Sequence, residues 1–162
     1  MKIAIGADHR GSELRDHLAG WLVQQEYEVI DLGFSGGRTC DYPDLAHAVA
    51  HQVATGKCEY GVLIDGIGIG MCIAANKVRS VRAALVHDEI GAELSRRHAD
   101  ANVLCLPADL LGQKIVHRIV RTWLTTEFEG GRHARRVAKI SAIEEGAAPT
   151  SIGDATIVSE TE

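Results

Sequence analysis

The sequence is poor in aromatic residues and lacks an excess of positive charge. Aromatic residues make up 4% of the 162 residues, and 17 lysines and arginines stand against 22 aspartates and glutamates, for a formal net charge of -5. A nucleic-acid-binding surface usually carries a basic imbalance, and single strands are bound on aromatic stacking platforms. We therefore expect no nucleic-acid partner.

The sequence also lacks the cysteine pattern of a zinc site, a membrane span and a secretion signal. Its four cysteines include no CxxC pair and no pair at zinc-ligand spacing. No apolar run approaches the roughly 20 residues that cross a bilayer. A strand-like run at residues 2–6 begins almost at the first residue, so we expect no signal peptide. These absences favour a cytoplasmic protein with reduced thiols and no membrane partner.

Short apolar runs alternate with longer amphipathic stretches over residues 1–145, which we interpret as one domain. Runs bounded by turn residues predict strands at residues 3–6, 28–32, 61–65, 82–86 and 102–106. Helical spacing of apolar residues predicts helices at residues 11–25, 43–54, 88–98, 109–126 and 132–145, and a glycine-rich stretch from residue 66 leads into a further helix that ends near residue 77. This alternation predicts an α/β fold, a Rossmann-like three-layer sandwich with a five-stranded parallel sheet. The small, polar and acidic residues 146–162 predict a disordered tail.

Three segments next to predicted strands carry the polar residues of a candidate site. GADHRG at residues 6–11 follows the first strand, DGIGIG at 65–70 follows the third, and HADAN at 98–102 precedes the fifth. Ligands of such folds bind at the carboxyl ends of strands, and we expect the three segments to meet near one edge of the sheet. The glycine pattern suits backbone amides that face an anion, but a tight turn explains it equally well.

A fourth cluster, EGGRHARR at residues 129–136, places two guanidinium groups on one helix face. Arg132 and Arg136 are four residues apart, and such forks suit a phosphate or a carboxylate. Without other evidence, a solvated basic helix start is the simpler interpretation. Arg96 and Arg97 are expected to be solvated.

Together, these segments resemble the ribose-5-phosphate isomerase B and galactose-6-phosphate isomerase family. The matching stretches are IAIGADHRG, DYPDLA, GIGIG followed by IAANK, LSRRHADANVL and EGGRHARRV, in the family's order. The resemblance implies aldose–ketose isomerisation of a small sugar phosphate, of the ribose 5-phosphate type, through an enediolate and without a metal or an organic cofactor. It also implies a homodimer or homotetramer with active sites built from two subunits.

The resemblance implies roles for individual residues. His98 would help to open the sugar ring, Asp8 would contact substrate hydroxyls, and Tyr42 would line the site, although a structural turn before a proline explains Tyr42 as well. The phosphate ligands would be His9, Arg132 and Arg136. The enediolate oxygen would lie against the backbone amides of Gly66, Ile67, Gly68, Ile69 and Gly70. Oriented donors of this kind stabilise developing negative charge.

Several positions depart from the family pattern. Asp65 stands where many members have a cysteine base, and Met71 stands where another branch has a glutamate base. The other departures are Ile67 for a hydroxyl residue, Ala99 for an asparagine and Asp109 for a phosphate-binding arginine. At Asp65 and Asp109 the chain resembles the galactose-6-phosphate isomerase A subunit.

Asp65 therefore has two interpretations of equal weight. A carboxylate can abstract a proton next to a carbonyl, which makes Asp65 a candidate base. It can equally be a strand-end carboxylate that caps the loop amides. Cys72 is a weaker candidate for the base, because a small buried core residue is more usual. Three other functions stay open: a non-catalytic subunit of a heteromeric isomerase, an isomerase for a different or unphosphorylated sugar, and a ligand-binding module.

Overall fold

The structure, a computed structural model, describes residues 1–33 and 39–153. Its strands are β1 (Lys2–Ala7), β2 (Glu28–Asp31), β3 (Tyr60–Asp65), β4 (Ala83–Leu85) and β5 (Val103–Pro107). Its α-helices are α1 (Ser12–Gln24), α2 (Tyr42–Ala54), α3 (Ile69–Ala75), α4 (Glu89–Ala99), α5 (Gln113–Thr125) and α6 (Arg132–Glu144). Each predicted strand and helix is confirmed, most of them with limits shifted by about one residue, the usual uncertainty of such boundaries.

The sheet is parallel throughout, with strand order β2-β1-β3-β5-β4. Alternate residues of each strand point to opposite faces, so Ile3 and Ile5 of β1 join one core while Ala4 joins the other. Helices cover both faces: Trp123 of α5 is fully buried in the first core and Val49 of α2 in the second. This is the predicted three-layer sandwich.

The starts of α5 and α3 are set by the segments before them, and α5 begins later than predicted. Helix α5 begins at Gln113 rather than at residue 109, since the Asp109 N–H donates to the Gly66 carbonyl at 3.0 Å. Helix α3 begins at Ile69, after the glycine-rich stretch, because Gly68 has a φ of +76°. That left-handed conformation favours glycine and cannot belong to a right-handed helix.

The end of α4 is anchored by Arg96. This side chain is only 5% exposed, so the expectation that it is solvated was wrong. Its Nη1 donates to Asp100 Oδ1 at 2.8 Å and to the Ala101 carbonyl at 2.7 Å, and its Nη2 donates to the Tyr60 hydroxyl at 2.8 Å. The guanidinium also lies 4.8 Å from the centroid of the Tyr60 ring. These contacts fix the end of α4, which carries His98, against the start of β3.

The C-terminal segment is described only in part. Residues 146–153 include one turn of 3-10 helix at Pro149–Ser151, and the Ala147 N–H donates to the Ala142 carbonyl at 2.8 Å. The rest of the predicted tail, residues 154–162, lies outside the described residues, so the domain limit at residue 145 stays a prediction. Among the described residues, no helix combines the length and the apolarity needed to cross a membrane.

Candidate active site

Asp8 organises the turn that follows β1. Its side chain is buried, and its Oδ1 accepts hydrogen bonds from the backbone N–H groups of Arg10 (2.9 Å) and Gly11 (3.1 Å). No described donor bonds to its Oδ2, so this oxygen keeps its capacity to accept from a ligand hydroxyl. His9, the next residue, is exposed.

Asp65, the last residue of β3, is 5% exposed and bonds to the backbone of the loop that follows it. Its Oδ1 accepts from the N–H groups of Ile67 (3.1 Å) and Gly68, and its Oδ2 accepts from the N–H of Met71 at 3.3 Å. The carboxylate therefore caps the loop and the first turn of α3. These contacts are those expected of a carboxylate that caps the loop amides. They do not test whether Asp65 also acts as a base.

The loop of residues 66–70 consequently has fewer amides to offer a ligand than predicted. The N–H groups of Ile67 and Gly68 are used by Asp65. In the described part of the chain, the N–H groups of Ile69 and Gly70 donate to no atom. The expected anion cradle is thus reduced to the loop amides that Asp65 does not use.

A cavity of about 550 Å³ opens beside this loop. Asp8, Tyr42 and Asp65 line it together with the loop, so the structure brings these predicted site residues into one place. A Cβ on Gly70 would lie 2.6 Å from the Tyr42 ring, so glycine at this position lets the ring pack against the loop. His98, Arg132 and Arg136 do not line this cavity.

The cavity also contains an ion pair that the sequence analysis missed. Arg10 donates from Nε (3.0 Å) and Nη2 (2.5 Å) to one oxygen of Asp109. Hydrogen bonding to Asp109 raises the pKa of the Arg10 guanidinium above its ordinary value. The sequence has a negative charge, Asp109, where the family has an arginine. Its partner Arg10 lies 99 residues away in the chain, so the residues next to Asp109 give no sign of the pairing.

The other predicted group lies where the end of α4 meets the start of α6. The rings of His98 and His133 stack with centroids 4.1 Å apart and an interplanar angle of 1°. Both Nε2 atoms approach Glu129, at 3.9 Å from His98 and 3.8 Å from His133. His133 is 3% exposed. Its burial is the main cause that lowers its pKa, and the neighbouring His98 is the second. Arg132 and Arg136 are exposed on α6.

The three residues His98, Glu129 and His133 have the spacing of a metal site, since one ligand atom of each lies within 4.8 Å of the others. Their partners are cations, however. Arg97 Nη2 donates to Glu129 Oε2 at 2.9 Å, and Arg132 Nε donates to His133 Nε2 at 3.2 Å. A metal ion would have to displace these guanidinium donors from Glu129 and His133.

His98 lies at the opposite edge of the sheet from the loop, which corrects the expectation that the three segments meet at one edge. Strands β3 and β5 run parallel, with Gly61 aligned to Val103 at their starts. The carbonyl of Asn102 accepts from the Gly61 N–H at 3.0 Å, so the segment before β5 is at the amino edge. Asp65 ends β3 at the carboxyl edge. A five-residue strand spans about 17 Å, and one chain therefore does not bring His98 to Asp65.

Cys72 is turned away from the cavity. Its Sγ donates to the Ala83 carbonyl at 3.4 Å, and it does not line the cavity beside Asp65. A hydrogen bond from the Cys105 thiol lowers the pKa of Cys72 to about 7. The thiol is acidic, but its position removes it as a candidate base for a ligand bound at the loop.

Comparisons with known proteins agree in one family. The profile of the family described as Ribose/Galactose Isomerase matches residues 3–140. Ribose-5-phosphate isomerase B of Escherichia coli K12 is 43% identical over 89% of this chain and 97% of its own length. D-erythrulose-4-phosphate isomerase of Pectobacterium atrosepticum is 40% identical over 89% and 95%. The structure of Clostridium thermocellum ribose-5-phosphate isomerase B superposes with a TM-score of 0.89 and 47% identity, covering 90% of this chain and 99% of that one.

Proposed function

The chain belongs to the ribose/galactose isomerase family, and we propose that it interconverts ribose 5-phosphate and ribulose 5-phosphate or a closely similar sugar phosphate. Membership makes it an aldose–ketose isomerase of the ribose-5-phosphate isomerase B type. The names of the Escherichia coli and Clostridium thermocellum proteins support a pentose phosphate. The name of the Pectobacterium relative makes a four-carbon sugar phosphate the nearest alternative.

Asp65 would be the base, acting through Oδ2. Its Oδ1 accepts two amide hydrogen bonds but its Oδ2 accepts only one, which leaves a lone pair on Oδ2 for a proton. The carboxylate would take the proton from C2 of the aldose and return it to C1, while a hydroxyl proton moves between the two oxygens. The observation that carries this assignment is a buried carboxylate at the wall of the cavity, between the loop and Asp8.

The substrate oxygens would meet donors and acceptors on both sides of Asp65. The free N–H groups of Ile69 and Gly70 would face the enediolate oxygen, where fixed donors stabilise developing charge. The open Oδ2 of Asp8 would accept from a sugar hydroxyl. Tyr42 would close the cavity on the side of α2.

The ring-opening acid and part of the phosphate clamp would come from a second copy of the chain. His98, Arg132 and Arg136 would reach the cavity of a partner, because in their own chain His98 is at the far edge of the sheet. Ile67, Ile69 and Ile73 around the cavity are 51%, 48% and 58% exposed, and such an apolar rim is suited to burial against a partner. A homodimer or homotetramer would supply that partner.

The test is solvent deuterium exchange at the carbon next to the carbonyl, followed by NMR on tetrose, pentose and hexose phosphates. We expect exchange with a pentose phosphate, lost in Asp65→Asn by a factor of about 100 or more, the usual contribution of a general base. Asp44→Asn, an exposed carboxylate on α2, is the matched control. Exchange at the wild-type rate in Asp65→Asn would remove Asp65 as the base.

A second function is favoured by the three amide contacts of Asp65, which make it a structural cap. The chain would then be the non-catalytic subunit of a heteromeric isomerase. Exchange activity in the purified homo-oligomer excludes this function. No exchange with any sugar phosphate, regained on adding a paralogue that carries a cysteine at the position of Asp65, would establish it.

A further inference from the structure

The cavity beside Asp65 contains one cation, Arg10, that no motif or comparison assigns. Among the described residues that line the cavity, it is the only lysine or arginine, whereas three carboxylates are present. Two of these carboxylates, Asp8 and Asp65, accept hydrogen bonds from backbone amides of their own chain. The third, Asp109, accepts from Arg10 itself.

The guanidinium of Arg10 is held on one edge and open on the other. Asp109 accepts from Nε and Nη2, while no atom in the described part of the chain accepts from Nη1. A guanidinium has five N–H donors in a rigid fork, so the edge formed by its two Nη atoms keeps paired donors that match a phosphate. With its partner in place, Arg10 is oriented before a ligand arrives.

The ion pair lies directly over the start of the loop. A Cβ on Gly66 would be 2.7 Å from Arg10 Nε and 2.7 Å from Asp109 Oδ2, so the pair packs against the backbone that follows Asp65. The Asp109 N–H also donates to the Gly66 carbonyl at 3.0 Å, which fixes the anchor of the pair to the same loop. Arg10 is therefore held against the loop, at the wall of the cavity that also contains Asp65.

We propose that Arg10, oriented by Asp109, is a specificity-determining residue that binds the phosphate of the substrate inside this cavity. The inference rests on the proposed sugar-phosphate substrate. It adds to the site a ligand from the same turn as His9, supplied by the chain that supplies Asp65. Asp109 orients the guanidinium and also sets a limit, because its negative charge lies next to the bound phosphate and opposes the dianion more than the monoanion.

The test is calorimetric titration of the full-length oligomer with inorganic phosphate, D-ribose 5-phosphate and D-ribose. We expect Arg10→Ala to weaken phosphate and ribose 5-phosphate at least tenfold and to leave the affinity for D-ribose unchanged. Arg10→Lys should fall between wild type and Arg10→Ala, because it keeps the charge but loses the fork. Asp109→Asn should bind ribose 5-phosphate more tightly than wild type, and more so at pH 8 than at pH 5.5, since the second pKa of a phosphate monoester is about 6.

The matched control is Arg118→Ala, which breaks the exposed ion pair of Arg118 with Glu89 at 2.9 Å on another part of the surface. Arg10→Ala and Arg10→Lys that both bind phosphate as tightly as Arg118→Ala would overturn the inference, as would a wild-type protein that binds no phosphate. Far-UV circular dichroism verifies that each variant is folded. Phosphate binding that depends on Arg10, in a protein that exchanges no sugar phosphate, would sustain the anion site and contradict only the proposed reaction.

Discussion

Replacing Arg96 by alanine should destabilise the protein by about 3 kcal/mol, because three hydrogen bonds of a buried cation are lost at once. The carbonyl of Ala101 and the hydroxyl of Tyr60 would lose their donor inside the protein. The Tyr60 and Trp123 rings would also lose a guanidinium that lies 4.8 and 5.5 Å from their centroids. Asp100 contributes less to this sum, since it is one-third exposed and keeps a second partner in Arg82.

The assay is urea unfolding at one fixed protein concentration, followed by circular dichroism. Arg96→Met separates the contribution of side-chain packing from that of the hydrogen bonds. The methionine keeps an apolar stem of similar length, and it removes the arginine Nε, which has no hydrogen-bond partner. We expect it to recover about 1 kcal/mol relative to alanine. Arg118→Ala, which breaks an exposed ion pair, should cost less than about 1 kcal/mol. A loss in Arg96→Ala no larger than in Arg118→Ala would refute the view that this arginine holds the end of α4.

Further predictions concern thiol reactivity, backbone strain, pH and metal removal. The rate of Cys72 alkylation by iodoacetamide should rise through pH of about 7, and Cys105→Ala should move that rise to higher pH because the donor to the thiolate is removed. Gly68→Ala should cost about 2 kcal/mol in thermal unfolding, since φ is +76° there, whereas Gly112→Ala, with open space around it, should cost little. Burial lowers the pKa of His117 below its ordinary value of 6.5. The contribution of the neutral imidazole to stability is therefore complete above about pH 6.5 and is lost as the pH falls. In His117→Phe, the free energy of unfolding should depend less on pH in this range. Dialysis against EDTA should leave the isomerase activity unchanged, because guanidinium groups already donate to Glu129 Oε2 and His133 Nε2, two of the atoms that would bind a metal ion in the histidine cluster.

The order of strands and helices was predictable because each element has its own pattern of apolar residues. Residues 61–64 form a continuous run without polar side chains that becomes fully buried, and the neighbouring strands repeat the pattern. The main error falls at the start of α5, where a long-range contact competes with local preference. Helix α5 begins late because Asp109 is bonded to Gly66, and nothing in residues 109–113 records that bond.

The site was predictable as a set of residues but not as an arrangement. The acidic and glycine-rich segments after β1 and β3 were expected at one edge, and Asp8 and Asp65 do line one cavity. His98 was assigned to the same edge because it neighbours a strand, although it precedes that strand and so lies at the other end. The Arg10–Asp109 pair was missed because its members are far apart in the chain and only the folded sheet brings them together.

The placement of Asp65 and His98 at opposite edges of the sheet has a genetic consequence. If each active site takes Asp65 from one chain and His98 from another, two inactive alleles can complement each other. A mixed dimer of Asp65→Asn and His98→Ala chains contains one site with both native residues and one with neither. Random mixing should then restore about a quarter of the wild-type activity, although each parent is inactive. In a cell carrying both alleles, each defective gene product would be rescued by the other.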